Sequence, residues 1–283
     1  MITARTRSEL ARHLDSARAE GRRIGLVPTM GFLHEGHLSL IDIARQNADC
    51  CVLSSFVNPL QFGPGEDLAR YPHDAQRDAG LARSRGVDLL FAPATNEMYP
   101  AGQPRVLVDA PGMTDRLCGA FRPGHFKGVL TVVCKLFNVV RPDIAVFGRK
   151  DFQQLVLVRR MTGDLDLTVT VIGAPIVREA DGLAMSSRNV YLDPVERRQA
   201  GLLNRALVEA GKAFREGTRD AGALERNIRE RLAEGDRVSP QYVEIVSPDT
   251  FDPVDVASPG DVVALAAFVG QTRLIDNLEL GGP

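Results

Sequence analysis

The stretch Ile24-Gly25-Leu26-Val27-Pro28-Thr29-Met30-Gly31-Phe32-Leu33-His34-Glu35-Gly36-His37 (residues 24–37) decides the fold of this chain. It begins with a continuous apolar run, Ile24–Val27, of the kind that forms a strand buried on both faces of a parallel sheet. After a turn that contains two glycines, Leu38, Ile41 and Arg45 follow one another at helical spacing. A strand, a turn and a helix in this order form the repeating unit of an open α/β sheet.

The same alternation of strand and helix continues through the first 175 residues. Thr6 and Glu9 form a predicted capping box for a first helix that ends near Ala19, and residues 155–161 again show helical spacing. Four more apolar runs predict buried strands: Cys50–Val57, Val87–Ala92, Asp143–Phe147 and Leu167–Ile172. This pattern predicts a doubly wound α/β domain with a parallel sheet over residues 1–175.

The pattern changes after residue 175. Asp193, Pro194 and Glu196 make a strong helix start, with Asp as the cap, Pro at the first helical position and Glu three residues after the cap. A second helix is predicted over Ala223–Leu232. Three short strands are then predicted: Tyr242–Val246, Val262–Val269 and Arg273–Leu278. Helices followed by strands predict a smaller α+β domain over residues 176–283.

Composition limits the classes of function. Of 283 residues, 44% are hydrophobic and 25% are charged, which is typical of a globular protein, and a net charge of −2 gives no general attraction to nucleic acid. The charged segment Met1–Glu20 does not look like a signal peptide, and no apolar run approaches the roughly 20 residues of a membrane helix. We therefore expect a cytoplasmic protein without nucleic-acid or membrane partners.

The four cysteines, Cys50, Cys51, Cys118 and Cys134, do not form a Cys-x-x-Cys pair. A redox or metal site would need a different spacing. Because the adjacent pair lies in an apolar run, we expect small buried side chains in a reducing compartment.

The turn between the first buried strand and its helix predicts a phosphate site. In an open α/β sheet, ligands bind where the strands end and the helices begin, and the helix amino terminus offers unpaired N–H groups. Gly31 and Gly36 permit a close approach of the backbone, while His34 and His37 can each donate a hydrogen bond to a phosphoryl oxygen. A zinc pair is disfavoured, because His37 comes one residue too early for the His-Glu-x-x-His pattern.

Two further segments carry groups that suit phosphate. Met185-Ser186-Ser187-Arg188-Asn189 (residues 185–189) offers two hydroxyls and a guanidinium, although a polar interdomain turn would look the same. In Gly148–Gln154, Lys150 follows a predicted strand and could neutralise phosphate charge, and Gln154 offers a donor and an acceptor. The chain lacks the P-loop pattern, so these groups would handle phosphate in another way.

A fourth segment, Phe56–Gly63, again follows a predicted strand directly. Asn58 and Gln61 are polar groups in a loop that is otherwise apolar, as a pocket for a small polar substrate requires. A plain connecting loop is the alternative interpretation of this segment.

Together these segments resemble a known family. Residues 28–37 resemble the HIGH signature of the nucleotidylyl-transferase superfamily, and Met185–Arg188 resembles its second, KMSKS-type loop. Residues 56–63, 122–133 and 147–154 narrow the resemblance to the pantothenate synthetase family, the pantoate–β-alanine ligases, over essentially the whole chain. The resemblance implies a Rossmann-like first domain, a smaller second domain that closes over ATP, and a homodimer. It also implies that pantoate and β-alanine are joined through a pantoyl-adenylate, with Mg²⁺ accompanying ATP.

The resemblance assigns residues to ATP. The predicted ATP-binding residues are Met30, Gly31, Phe32, Leu33, His34, Glu35, Gly36, His37, Gly148, Arg149, Lys150, Asp151, Val177, Met185, Ser186, Ser187 and Arg188. The predicted catalytic residues among them are His37, His34, Lys150 and Arg188. Val177 would contact the adenine, and residues 185–188 would form a mobile phosphate loop.

The resemblance also assigns residues to the acid substrate and the metal. The predicted substrate-binding residues are Gln61, Gln154, Asn58 and Arg122, and Asp78 is the candidate Mg²⁺ ligand. Two positions depart from the family pattern: His73 stands where arginine is common, and Phe32 stands where a small residue is common.

Three other functions remain open at this point. A nucleotidylyltransferase that releases a dinucleotide would share the two signatures, but it would not need the two glutamine segments. A tRNA-charging relative would need a basic face and an additional recognition region. A nucleotide sensor without catalysis would bind ATP without turnover.

Overall fold

The computed structural model describes residues 1–282, which fold into two compact units. The first unit consists of Met1–Asp115, Gly119–Arg149 and Leu157–Pro175. The second unit consists of Arg116–Cys118, Lys150–Val156 and the chain from Ile176 onward.

The first unit is built on a six-stranded parallel sheet. Its strands are β1 (Ile2–Ala4), β2 (Ile24–Thr29), β3 (Cys50–Ser55), β4 (Leu89–Phe91), β5 (Ile144–Gly148) and β6 (Thr170–Ala174), in the order β1-β4-β3-β2-β5-β6. Residues of β2, β3 and β5 are almost all buried, which explains why these strands are apolar without alternation. The predicted α/β class with a doubly wound parallel sheet is confirmed.

Seven helices lie within the first 175 residues. They are α1 (Arg7–Ala19), α2 (Glu35–Asn47), α3 (Ala75–Ser84), α4 (Thr95–Met98), α5 (Cys118–Phe121), α6 (His125–Val140) and α7 (Phe152–Asp164). The Thr6–Glu9 capping box of α1 is present as predicted. The sequence analysis did not predict α6, whose buried residues include Phe126, Leu130 and Phe137.

The order of the strands reverses beside β2. The strand β2 pairs with β3 on one side and with β5 on the other. The sheet therefore extends from β2 through β3 and β4 in one direction and through β5 and β6 in the other. Such a switch point opens a crevice at the carboxyl ends of the strands, where ligands of open α/β sheets bind. The strand β2 ends at Thr29 and β5 ends at Gly148, so two of the three predicted phosphate segments begin at this edge of the sheet.

The second unit contains a three-stranded antiparallel sheet and two long helices. The elements are α8 (Pro194–Arg215), α9 (Ala221–Leu232), β7 (Val238–Val246), β8 (Val262–Val269) and β9 (Thr272–Glu279). Asp193 caps α8 and forms the predicted capping box with Glu196. Leu203, Leu207 and Phe214 on α8 pack into the core of this unit. The predicted smaller α+β element pattern is confirmed.

Some local predictions differ from the structure. The edge strand β1 was not predicted, because three residues are too short for a recognisable pattern. Cys50, Cys51 and Cys118 are buried and Cys134 is half-buried. Burial, with a smaller contribution from the negative charge of Asp88, raises the pKa of Cys51 to about 12.

No helix within residues 1–282 combines the length and the apolar character needed to span a membrane.

Candidate active site

The turn after β2 has a backbone shape that requires glycine. Gly31 has φ +84°, and a Cβ at this position would lie 2.9 Å from Ser55 Oγ and 3.1 Å from Asp78 Oδ2. Thr29 Oγ1 accepts a hydrogen bond from the Gly31 N–H and donates one to the Ser54 carbonyl. The turn is therefore tied to the neighbouring strand and has no room for a larger residue.

Asp78 on α3 holds the same turn from the other side. Its Oδ2 accepts a hydrogen bond from the Phe32 N–H at 2.6 Å, and its Oδ1 accepts one from the Leu33 N–H at 2.8 Å. These bonds compensate a φ of +50° at Phe32, a conformation that a bulky residue rarely adopts. Asp78 is 3% exposed, so its carboxylate faces the protein backbone.

This geometry gives Asp78, the candidate Mg²⁺ ligand, two contacts within the protein. Each carboxylate oxygen accepts a hydrogen bond from a backbone N–H group. Within residues 1–282 no three His, Cys, Asp or Glu side chains gather as a metal site. The structure shows Asp78 as an anchor for the histidine turn, and its role as a Mg²⁺ ligand stays a prediction.

His34 and His37 lie against each other at the start of α2. Their ring centroids are 4.0 Å apart, and the His34 backbone N–H donates to His37 Nδ1 at 3.3 Å. Because Nδ1 accepts this bond, the neutral ring of His37 carries its proton on Nε2. His37 can therefore donate from Nε2 to an anionic oxygen, which is the capacity that the sequence analysis predicted.

The remaining residues of α2's first turn have other contacts. The Glu35 carboxylate accepts a hydrogen bond from Arg85 Nη2 at 2.8 Å, and the Gly36 carbonyl accepts one from Ser39 Oγ. Glu35 was predicted to bind ATP; its side chain is held here by a cation of the same unit. Its backbone N–H group, at the first helical position, keeps the capacity to bind an anion.

Asn58 begins the loop that was predicted to bind the acid substrate. Its Oδ1 accepts hydrogen bonds from Tyr99 OH at 2.7 Å and from the Leu60 N–H at 3.3 Å. Its Nδ2 donates to Gln61 Oε1 and to the Gly128 carbonyl, both at 3.1 Å. These four bonds use the full hydrogen-bonding capacity of an amide, and Asn58 is only 1% exposed. The Asn58 side chain supports Gln61 from behind, and its contact with the substrate stays a prediction.

Gln61 connects two of the predicted segments. Its Nε2 lies 3.2 Å from Met30 Sδ in the turn after β2, and its carbonyl accepts a hydrogen bond from His125 Nδ1 at 2.7 Å. The structure thus brings the predicted acid-binding glutamine next to the predicted phosphate turn.

Arg122 lies in the same cluster but has its own carboxylate partner. Its Nε and Nη2 form hydrogen bonds with the Glu66 carboxylate at 2.7 and 2.5 Å, and its Nη1 is 3.0 Å from His125 Nε2. Burial raises the pKa of Glu66, but the hydrogen bonds and charge of Arg122 outweigh burial and lower it overall. Arg122 therefore holds the loop around Gln61 through Glu66 and His125.

The second unit contains the other predicted groups apart from Gly148 and Arg149, which belong to the first unit. Lys150 Nζ lies 3.9 Å from Asp151 Oδ2, and the Lys150 carbonyl accepts a hydrogen bond from Asn277 Nδ2 at 2.9 Å. Gln154 follows on α7 and is half-buried. The hydrogen bond from Asn277 fixes the backbone of Lys150 to β9. The distance between the Lys150 ammonium and the Asp151 carboxylate is long for an ion pair.

The loop from Val177 to Arg188 is a supported hairpin. Its backbone pairs through an Arg178–Ala184 bridge and through a hydrogen bond from the Met185 N–H to the Val177 carbonyl. Ser186 caps the 3₁₀ helix Ser187–Tyr191 by accepting a bond from the Arg188 N–H. Val177, the predicted adenine contact, and residues 185–188, the predicted phosphate loop, therefore lie in the same hairpin.

Ion pairs attach this hairpin to the rest of its unit. Arg178 forms two hydrogen bonds with the buried carboxylate of Asp276, at 2.7 and 3.0 Å. Arg197 on α8 contacts both Glu179, at 2.5 Å, and Asp181. The hydrogen bond from Arg197 holds the pKa of Asp181 below its usual value.

Comparison with known proteins identifies the family. The family model described as pantoate-beta-alanine ligase matches residues 2–279. This chain belongs to the pantoate–β-alanine ligase family. Pantothenate synthetase of Pelotomaculum thermopropionicum is 52% identical over 99% of both chains, and that of Heliobacterium modesticaldum is 56% identical over 92% of both.

Solved structures of the pantoate–β-alanine ligase family share the whole fold. The crystal structure of pantothenate synthetase from Thermus thermophilus superposes with a TM-score of 0.93, at 47% identity over 99% of both chains. That of the pantoate-beta-alanine ligase from Francisella tularensis, complexed with beta-gamma ATP and beta-alanine, gives 0.83 at 31% identity, over 100% of this chain and 99% of that one.

Three residues around the candidate site were not found by sequence reasoning. Tyr99, His125 and Glu66 each contact a predicted site residue, although they come from separate parts of the chain. His125 lies within the 122–133 motif that carried the family resemblance, so a signal for it was present. Tyr99 and Glu66 lie outside the quoted motifs and could be found only from the fold.

Proposed function

We propose that this chain condenses pantoate with β-alanine at the expense of ATP, giving pantothenate, AMP and pyrophosphate. Membership of the pantoate–β-alanine ligase family supports the overall reaction. The observation that carries the residue assignment is the contact of 3.2 Å between Gln61 Nε2 and Met30 Sδ, which joins an acid-binding loop to a phosphate-binding turn.

In the first step a pantoate carboxylate oxygen attacks the α-phosphorus of ATP. A bond forms between that oxygen and phosphorus, and the bond to the bridging oxygen breaks, so pyrophosphate leaves with the electron pair. We assign His34 and His37 to the phosphoryl oxygens, with His37 donating from Nε2. Gln61 and Gln154 hold pantoate in line with the phosphorus.

In the second step the neutral amine of β-alanine attacks the acyl carbon of the pantoyl-adenylate. The new carbon–nitrogen bond forms, the carbon–oxygen bond to AMP breaks with its electron pair staying on the AMP oxygen, and the nitrogen loses a proton to water to give the amide. Lys150 and Arg188 stabilise the negative charge of the nucleotide phosphates. Ser186 and Ser187 add hydroxyl donors to the same loop.

The metal requirement stays a prediction. Mg²⁺ is expected to bind together with ATP and to offset the negative charge of its phosphates. A Mg²⁺ ion bound in this way commonly keeps several waters and has few protein ligands. Asp78 is the candidate protein ligand for this ion.

The domain division at residues 175 and 176 and the role of residues 176–283 as a lid also stay predictions. A lid would protect the adenylate from water. Hydrogen exchange of residues 185–188, measured with and without ATP and pantoate, tests this role: protection by the two ligands together is expected.

The family resemblance further supports a cytoplasmic homodimer that binds ATP, pantoate and β-alanine and no nucleic acid. Light scattering coupled to size-exclusion chromatography tests the dimer: the predicted mass is twice 30.8 kDa.

The direct test follows ATP, AMP, pyrophosphate and pantothenate, with each acid omitted in turn. We expect AMP and pantothenate only when both acids are present. We also expect pantoate alone to support exchange of label between pyrophosphate and ATP. A folded protein that gives neither signal would contradict the proposed function.

A further inference from the structure

The orientation of the Gln61 amide is determined by groups whose hydrogen-bonding character is unambiguous. The oxygen and nitrogen of an amide side chain are alike in shape, but a backbone N–H can only donate and a carbonyl can only accept. Asn58 meets one of each: the Leu60 N–H at Oδ1 and the Gly128 carbonyl at Nδ2. This fixes which end of Asn58 is which.

The orientation of Asn58 then determines that of Gln61. The second N–H of Asn58 Nδ2 points to Gln61 at 3.1 Å, so the atom that receives it must be Oε1. The opposite end of Gln61, beside Met30 Sδ, is therefore Nε2. A thioether sulfur accepts hydrogen bonds only weakly, so it competes little for the two N–H groups of Gln61.

Tyr99 reinforces this arrangement. Its hydroxyl donates to Asn58 Oδ1 at 2.7 Å, the shortest of the four bonds of Asn58. Burial raises the pKa of Tyr99 well above its ordinary value, so the hydroxyl stays protonated and remains a donor. Tyr99 is 6% exposed and does not compete for the ligand site.

The main chain of Gln61 is held as well. Its carbonyl accepts hydrogen bonds from His125 Nδ1 at 2.7 Å and from Arg122 Nη2 at 3.3 Å. With both the backbone and one end of the side chain fixed, Gln61 has little freedom to exchange its two ends.

We propose that Asn58 and Tyr99 are positioning residues that lock Gln61 as a hydrogen-bond donor, so that the pocket selects its acid substrate through an acceptor oxygen. The proposal rests on the proposed function, because it takes Gln61 as a pantoate-binding residue. A free glutamine could present either end, whereas a locked donor fits a carboxylate or hydroxyl oxygen and rejects a protonated amine, which has no acceptor.

Substitution of Gln61 distinguishes a donor from an acceptor. Gln61→Glu keeps an oxygen for Asn58 but presents an anion where the N–H groups were; Gln61→Leu removes both ends. For a locked donor, Gln61→Leu raises the pantoate KM about tenfold, the order of one hydrogen bond to a charged group, and Gln61→Glu raises it further. If Gln61 were an acceptor, Gln61→Glu would bind pantoate nearly as well as the wild type does, and that result would overturn the proposal.

The supporting role of Tyr99 is tested by removing one atom. Tyr99→Phe should raise the pantoate KM about fivefold, the factor given by one neutral hydrogen bond, and should leave the ATP KM unchanged. Tyr242→Phe is the matched control, since it removes an equally buried hydroxyl whose partner is Cys118 Sγ in the second unit. A merely structural role of Tyr99 would raise both KM values together, and this would overturn its assignment.

Failure of this proposal can be told apart from failure of the proposed function. Absence of pantoate-dependent exchange in the wild type overturns the function itself. Normal exchange in the wild type, together with a Gln61→Glu variant that keeps its pantoate KM, overturns only the donor lock. Gln46→Glu, at an exposed glutamine on α2, controls for the added charge.

Discussion

The two units hold their functional groups in different ways. In the first unit, the histidine turn is fixed by bonds to backbone groups: Asp78 binds two N–H groups of the turn, and His37 accepts the N–H of His34. In the second unit, the hairpin with the predicted phosphate loop is attached by ion pairs between side chains, which involve Arg178 and Arg197.

This difference has consequences for the chemistry. Backbone groups are placed by the sheet and cannot move without local unfolding, so the first unit is organised before its ligands arrive. The partly exposed ion pair of Arg197 with Glu179 weakens with salt and contributes little, whereas the pair of Arg178 with the buried Asp276 is screened less. We expect acid recognition to be insensitive to ionic strength and nucleotide binding to respond to it.

The largest effect is expected at His37. Its Nε2 proton points away from the bond that orients the ring, so His37→Ala should lower turnover by about 10²- to 10³-fold, the range for one charge-stabilising donor. His37→Gln, which can place an amide N–H near the Nε2 position, should recover part of the loss. Steady-state kinetics check both, with His13→Ala as a histidine control on α1. A loss below about threefold would exclude the assigned role.

The next effect concerns Arg178 and the buried Asp276. Arg178→Gln leaves the Asp276 carboxylate, whose side chain is 1% exposed, without its cation. Removing one partner of a buried ion pair costs about 3 kcal/mol or more of unfolding free energy, which urea denaturation measures.

Asp276→Asn is the matched control for this pair, because it removes the buried charge together with the attraction. It should cost clearly less than Arg178→Gln. Equal losses of unfolding free energy in both variants would show that the unpaired charge of Asp276 is not the cause of the loss. Side-chain packing would then hold the hairpin.

A smaller effect is expected at the anchor of the histidine turn. Asp78→Asn removes one of two acceptors and turns an NH₂ group toward a backbone N–H, which should cost about 1–3 kcal/mol of unfolding free energy. The Mg²⁺ concentration for half-maximal activity should stay unchanged. Asp74→Asn, at the exposed cap of the same helix, should be nearly neutral because Asn caps as well as Asp.

A stable Asp78→Asn protein that needs much more Mg²⁺ would show that Asp78 is more than an anchor and would support the predicted metal role.

The smallest effect is a pH dependence at Glu66. Its pKa in the folded protein is lowered from the ordinary 4.5, since the bonds and charge of Arg122 outweigh burial. The stabilisation by this pair is therefore fully present above pH 4.5 and is lost as pH falls through the lowered pKa. The difference in unfolding free energy between wild type and Glu66→Gln should narrow on acidification. A difference that stays constant or grows in acid would contradict this sign.

Much of the fold could be predicted from the sequence, for physical reasons that particular residues show. Ile24–Val27 is apolar on both faces because β2 lies inside the sheet, and Asp193, Pro194 and Glu196 mark a helix start by local chemistry alone. The short strand β1 could not be predicted, because its three residues form a strand only by pairing with β4.

The sequence predicted which segments form the candidate site, but it was less informative about the role of each residue in it. Asn58 is a polar residue in an apolar loop, and that pattern cannot distinguish a residue that contacts the ligand from one that supports a neighbouring side chain. The supporting contacts of Asn58 include the hydroxyl of Tyr99, forty-one residues later in the chain. The same holds for Asp78, whose two N–H partners lie in a turn that only the fold brings near. Roles that depend on long-range hydrogen bonds need the structure.

The most direct test of the proposed chemistry follows the oxygen atoms of pantoate. With ¹⁸O in the pantoate carboxylate, the reaction with ATP and β-alanine should place one labelled oxygen in the phosphate of AMP and none in pyrophosphate. This result is required if the carboxylate attacks the α-phosphorus before the amide forms. Unlabelled AMP, or label in pyrophosphate, would contradict the pantoyl-adenylate and the roles assigned to His34, His37 and Gln61.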